Sequence, residues 1–130
     1  MKNLDLVKEY PDLFEDMDKP TTESLMSFGC QCGDGWHDLL DETFEKISGS
    51  GFKLFQVKEK LGALVIYLAK WKTVPKHIAM AIEDAHAKSL TICEICGESG
   101  TLCLKQGGSF VLQTLCKAHQ QELGYRPTKY

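Results

Sequence analysis

Two pairs of metal-ligand residues near the C-terminus constrain this chain more than anything else in it. Cys93-Glu94-Ile95-Cys96-Gly97 comes first, and nineteen residues separate Cys96 from Cys116-Lys117-Ala118-His119. A Cys-x-x-Cys turn offers two thiolates from one tight loop, and the glycine behind it lets the backbone aim both sulfurs at a single point. A second pair from a distant segment then completes a tetrahedron. The expectation is one zinc ion held by Cys93, Cys96, Cys116 and His119, a spacing that is a much stronger signal than single cysteines. Four protein ligands leave no position for an activated water, so the zinc is expected to be structural. Cys103 lies between the pairs and could replace His119, but its place on an expected strand favours a buried thiol.

Between the ligand pairs, residues 102 to 104 and 109 to 115 read as short strands around a Gly107-Gly108 turn. Residues 116 to 123 read as a helix whose first turn carries Cys116 and His119 on one face. A ligand knuckle, a hairpin and then two ligands at a helix start resemble a treble-clef zinc finger. Nucleases of the HNH type share that finger and need a catalytic histidine on the hairpin. No histidine lies between Cys96 and Cys116 here, so the resemblance stops at the zinc scaffold and a nuclease is a minor alternative.

The rest of the chain reads as a helix-hairpin-helix lobe. Leu4, Val7, Leu13, Phe14 and Met17 are scattered among acids and a proline, which suggests one or two short helical pieces, and Pro20-Thr21-Thr22-Glu23 resembles a further helix start leading into Leu25, Met26 and Phe28. Trp36, Leu39, Leu40, Phe44 and Ile47 recur at helical spacing, with Asp34 as the expected cap and Gly49-Ser50-Gly51 as the stop. Two strands are expected at 52 to 58 and 63 to 69, joined by Glu59-Lys60-Leu61-Gly62 into an antiparallel hairpin. After Pro75 a second helix follows, with Ile78, Ile82, Ala85 and Ser89 as its stripe. The fold class is therefore α+β, with helices packed on an antiparallel β-hairpin and a C-terminal treble-clef-like zinc finger. A single domain of 130 residues is expected, divided into an acidic helical segment (1–29), the helix-hairpin-helix lobe (30–91) and the zinc-finger segment (92–124).

Charge is unevenly spread. Residues 1 to 51 hold twelve acidic against four basic side chains, a net −8, whereas residues 52 to 76 hold six lysines against one glutamate, a net +5. The overall −3 argues against general binding to nucleic acid, which needs several phosphates neutralised at once. Lys53, Lys58, Lys60, Lys70, Lys72 and Lys76 nevertheless form a local candidate surface for nucleic acid or a partner, with Trp71 or Tyr67 to stack on bases. The plainer reading is a solvated hairpin edge that discourages strand-to-strand association. No apolar run approaches the roughly 20 residues that span a bilayer. The N-terminus turns acidic instead of forming a signal core, so a reducing, cytoplasmic setting without membrane attachment is expected.

Cys30-Gln31-Cys32, with His37 nearby, is a looser signal for a second thiol or metal site, and two partly buried thiols are the blander reading. Phosphate loops, nucleophile elbows and His-Glu-x-x-His pairs are absent from the sequence. Cys32-Gly33-Asp34-Gly35-Trp36, then Val57-Lys58-Glu59-Lys60-Leu61-Gly62-Ala63-Leu64, then Cys-x-x-Cys and Leu115-Cys116-x-x-His119 resemble a set of small, uncharacterised proteins of bacterial and bacteriophage genomes. The likeness covers residues 30 to 119 and implies a compact accessory protein encoded by a phage or prophage. The expected function is a non-enzymatic, zinc-binding interaction protein whose partner is a host protein, such as a component of an anti-phage or CRISPR defence system. The alternative is a nucleic-acid-binding zinc-finger module using the mid-chain lysines, and a nuclease or a thiol enzyme at Cys30 and Cys32 ranks below both.

Overall fold

The computed structural model describes residues 2–20, 24, 26, 29–69, 73–107 and 110–128. The expected helix start at Thr21, Thr22 and Glu23, with Leu25 and Phe28, lies outside them, as do Lys70, Trp71, Lys72 and Gly108. Helix and strand are mixed as an α+β chain should have them, and the strands fall into two small sheets. Among the described residues no helix is long and apolar enough to cross a membrane.

In the N-terminal segment, α1 (Asp5–Glu9) is flanked by 3-10 turns at Lys2–Leu4 and Glu15–Asp18. Pro11 keeps these pieces short, because it cannot donate the bond that would continue α1. Leu6, Leu13 and Phe14 nonetheless reach the main core, where the Phe14 ring meets Phe44 edge-on at 5.7 Å. The acidic segment is thus part of the lobe's packing.

The first sheet contains the expected hairpin and extends it. β2 (Leu54–Lys60) and β3 (Ala63–Leu68) pair antiparallel as the alternation implies, but β1 (Cys30–Gln31) adds a third, parallel strand on the other side of β2. Two residues are too few to leave a periodic signal, so β1 could not be read from pattern. α2 (His37–Ile47) and α3 (Lys76–Ser89) pack on one face. Trp36, Leu40, Phe44 and Ile47 are fully enclosed, and Leu54, Val57 and Leu64 meet them from the sheet. Burying each such side chain contributes roughly 1.5–3 kcal/mol.

Asp34 does not cap α2. The chain first makes a 3-10 turn at Asp34–Trp36, α2 starts at His37 without a side-chain cap, and Asp34 Oδ1 accepts from the Asn3 amide at 3.4 Å. α3 begins after Pro75 and buries Ile78, Ala81, Ala85 and Ser89. The second sheet has the order β5-β4-β6, from β4 (Thr101–Lys105), β5 (Leu112–Leu115) and β6 (Tyr125–Pro127), with α4 (Lys117–Leu123) between β5 and β6. β6 lies beyond the expected finger and pairs antiparallel with β4. Its Tyr125 packs against a small second core of Cys93, Cys103, Leu115 and Cys116.

Candidate metal centre

The second core is where the two ligand pairs meet. The 93–96 turn closes through the Gly97 amide, which donates to the Cys93 carbonyl at 2.9 Å, and Gly97 takes φ +84°, a conformation that side chains disfavour. Cys116 sits at the N-cap of α4, so His119 lies one turn on and on the same face. The ligand atoms of Cys93, Cys96, Cys116 and His119 all lie within 4.8 Å of one another, and no other such group exists among the described residues.

Two of the spacings fit a tetrahedral ion. Zn–S bonds of about 2.3 Å and a Zn–N bond of about 2.0 Å put tetrahedral sulfurs about 3.8 Å apart and sulfur and nitrogen about 3.5 Å apart. Cys96 Sγ lies 3.7 Å from Cys116 Sγ, and Cys93 Sγ lies 3.6 Å from His119 Nδ1. The 3.1 Å from Cys116 Sγ to His119 Nδ1 is tighter than an ion would leave it. The histidine presents Nδ1 inward, and its Nε2 lies 4.0 Å from the exposed Glu122 carboxylate, beyond hydrogen-bond distance.

Local electrostatics favour thiolate at the helix end of the site. The His119 backbone amide, helped by its ring, holds the Cys116 thiol down at about 7. At Cys96 the Glu98 amide pulls the other way from desolvation and the neighbouring Cys93 and Cys116 thiols, which prevail and leave it at about 11. The His119 ring is raised, chiefly by its hydrogen bond with Cys116. Protons thus compete with any cation for this pocket, and binding a metal would release them.

The knuckle is fastened to the first lobe by Cys32-Gly33-Asp34-Gly35-Trp36. The Gly35 amide donates to the Glu94 carbonyl at 2.8 Å, the Gly33 amide to Glu94 Oε2 at 2.9 Å, and the Trp36 indole to the Ile92 carbonyl at 2.9 Å. A Cβ at Gly33 or Gly35 would run into the carbonyl oxygens of Glu94 or Cys93, backbone atoms that cannot swing aside. Glu94 is 7% exposed, and burial raises its carboxyl. The roles of Gly33, Gly35 and Glu94 escape sequence reasoning because ligand spacing says nothing about what a knuckle rests on; the Gly-x-Gly step beside a tryptophan was the available signal.

Cys30, Cys32 and His37 are placed differently. Cys30 lies on β1, Asn3 Nδ2 approaches the Cys32 carbonyl at 3.4 Å, and His37 Nδ1 lies 3.3 Å from Asn3 Oδ1. Burial pushes the Cys30 thiol up to about 12 and the Cys32 thiol higher still, so both are held as poor nucleophiles. Cys103 is fully buried on β4 and donates to the Thr101 carbonyl at 3.1 Å.

Four of the six candidate lysines fall among the described residues. Lys53 is taken up by Glu15 at 3.2 Å and Asp16 at 3.7 Å, and Lys76 opens α3. Lys58 is level with Gln31 and Val65, and Gln56 with Tyr67, on the face of the sheet away from the helices. Lys60 is exposed at the end of the same strand, and Lys70 and Lys72 fall outside the described residues. No protein-family model, curated protein or solved structure matches this chain.

Proposed function

We propose that this chain is a non-enzymatic interaction protein built around a treble-clef-like finger, with one structural zinc on Cys93, Cys96, Cys116 and His119. The observation that carries the reading is the closed donor set, three sulfurs and one imidazole nitrogen whose ligand atoms lie within 4.8 Å of one another. Such a set matches zinc in softness and number and offers no open position to a substrate. The order of knuckle, hairpin and helix agrees with a treble clef. Bound zinc would tie the knuckle to the start of α4, and Gly33, Gly35 and Trp36 would carry that rigidity into the helical lobe.

A scaffold of this kind works through its surfaces. The acidic N-terminal half complements a basic partner, and charge of one sign steers association and selects against like-charged proteins. A phage or prophage origin and a host defence component as target extend this reading on the resemblance of the sequence motifs. The second reading, nucleic-acid binding, is favoured by Lys58, Lys60 and Tyr67 on one sheet strand pair. Immobilised protein, incubated with bacterial lysate and in parallel with single- and double-stranded DNA and RNA, separates the two. Retention of a discrete protein that Cys93→Ser no longer retains supports the first. Polynucleotide retained at low salt and released steeply as salt rises would replace it with the second.

A further inference from the structure

Among the described residues one edge of the first sheet is unfinished. β3 is an outer strand, so every second residue on it turns its amide and carbonyl away from β2. Leu64 is one of these, and α3 completes it: its N–H donates to Ser89 Oγ at 2.8 Å, and its carbonyl oxygen lies 3.0 Å from His86 Nδ1. The ladder then turns Val65 and Tyr67 toward Lys58 and Gln56, which leaves Ile66 and Leu68 facing the same way as Leu64. Among the described residues no hydrogen bond reaches the outward amides and carbonyls of Ile66 and Leu68.

Those groups border a groove between β3 and α3. Two adjacent cavities, of ≈ 300 and ≈ 230 Å³, share Ile66, Ile82 and Glu83, and Val74 and Ala79 line the second. Ile66 and Leu68 are each only 6% exposed. Unpaired backbone groups in such a sheltered, largely apolar place carry a free-energy cost that an added strand relieves. β3 runs Ala63-Leu64-Val65-Ile66-Tyr67-Leu68 and so lacks the proline and charges that blunt a sheet edge. A docked helix has no free backbone groups to offer this edge, whereas an extended segment supplies donors and acceptors at the strand repeat. Among the described residues Glu83 is the only carboxylate lining either cavity. A second copy paired through β3 would bring another Glu83 to the same seam, and a cationic partner residue would pair with it.

We propose that this groove takes an extended segment of a partner protein as a fourth strand on β3, apolar at alternate positions and carrying lysine or arginine opposite Glu83. The inference rests on the protein-binding reading above and names the surface and the partner's form. The probes are short synthetic peptides of alternating valine and threonine, one with a central lysine, one with a central glutamate and one N-methylated along its backbone. They are added to the zinc-loaded chain, and the amide exchange of Ile66 and Leu68 is followed by NMR. The lysine peptide slows both amides and binds about three- to tenfold tighter than the glutamate peptide, the gap expected of an exposed ion pair against its repulsive counterpart. The methylated peptide has no effect, and Glu83→Lys, a change at an exposed position, reverses the preference. Absence of binding by every peptide overturns the proposal, as does binding that leaves both amides unprotected. So does protection already present without peptide in a protein of doubled mass, which would make the occupant a second copy. If the peptides fail while a discrete protein is still retained from lysate, the groove is wrong and the protein-binding reading stands.

Discussion

At the scale of single residues, the glycines beside the knuckle are as consequential as the ligands. Gly35 approaches the Cys93 and Glu94 carbonyls so closely that even a methyl group must displace backbone. Gly35→Ala is therefore expected to cost about 1–3 kcal/mol in chemical unfolding and to weaken metal binding, although alanine touches no ligand. A comparable change at Gly49, where a Cβ would meet nothing, tests backbone conformation alone, since its φ is +79°. Asp12 provides a pH handle outside the cysteine cluster. Partial desolvation pushes its carboxyl up, but the Gly49 amide at 2.8 Å, the Ser48 hydroxyl at 2.9 Å and its own local amides outweigh that and hold it below its ordinary value. A depressed folded-state pKa means that the stabilisation is complete above the unfolded value of about 3.9 and fades as pH falls through the folded one. Denaturant midpoints of the native chain and Asp12→Asn should differ at pH 6 and converge toward pH 2, by less than about 1 kcal/mol given the exposure of the carboxylate. A difference that persists at pH 2 would assign the effect to shape.

At the scale of elements, the turn between β2 and β3 and the strand β5 hold the sheets together. Thr114 is fully buried, and its Oγ1 donates to the Gly62 carbonyl at 2.8 Å. Thr114→Val keeps the volume and strands that carbonyl, so a loss of about 1–3 kcal/mol is expected in thermal or chemical unfolding; an unchanged midpoint would mean that the sheets are held by other contacts. Elements with a strong period were legible in the sequence: α2 from its run of Trp36, Leu39, Leu40, Phe44 and Ile47, α3 from Pro75 and its stripe, and β2 and β3 from alternation and an apolar run. Elements made by tertiary pairing were not. β1 is two residues whose strand character comes from lying beside Val57 and Lys58, and β6 exists because Tyr125, Arg126 and Pro127 find β4 after α4 has turned back. The ligand set was legible because coordination imposes a spacing, whereas the dock beneath it depends on a close backbone approach that no spacing reports.

At the scale of the whole molecule, the finger and the helical lobe are expected to behave as one cooperative unit. Bonds from Gly33, Gly35, Trp36 and Thr114 cross between them, and the acidic N-terminal segment is built into the same core as α2. Loss of the metal should therefore destabilise the chain beyond its C-terminal third. The two cores remain chemically distinct, an apolar one of leucines and aromatics and a small one of cysteines with Leu115. The second is too small to hold a knuckle, a hairpin and a helix by apolar burial alone, which is the situation in which small folds rely on a metal. The most direct test of this account is metal analysis combined with X-ray absorption on the native chain and on Cys93→Ser, each followed through thermal unfolding with and without chelator. The account predicts one zinc per native chain with three sulfurs at about 2.3 Å and one nitrogen at about 2.0 Å, a single transition lowered by chelator, and loss of zinc in the variant. A variant that keeps its zinc, or a native chain whose unfolding ignores the chelator, would contradict it.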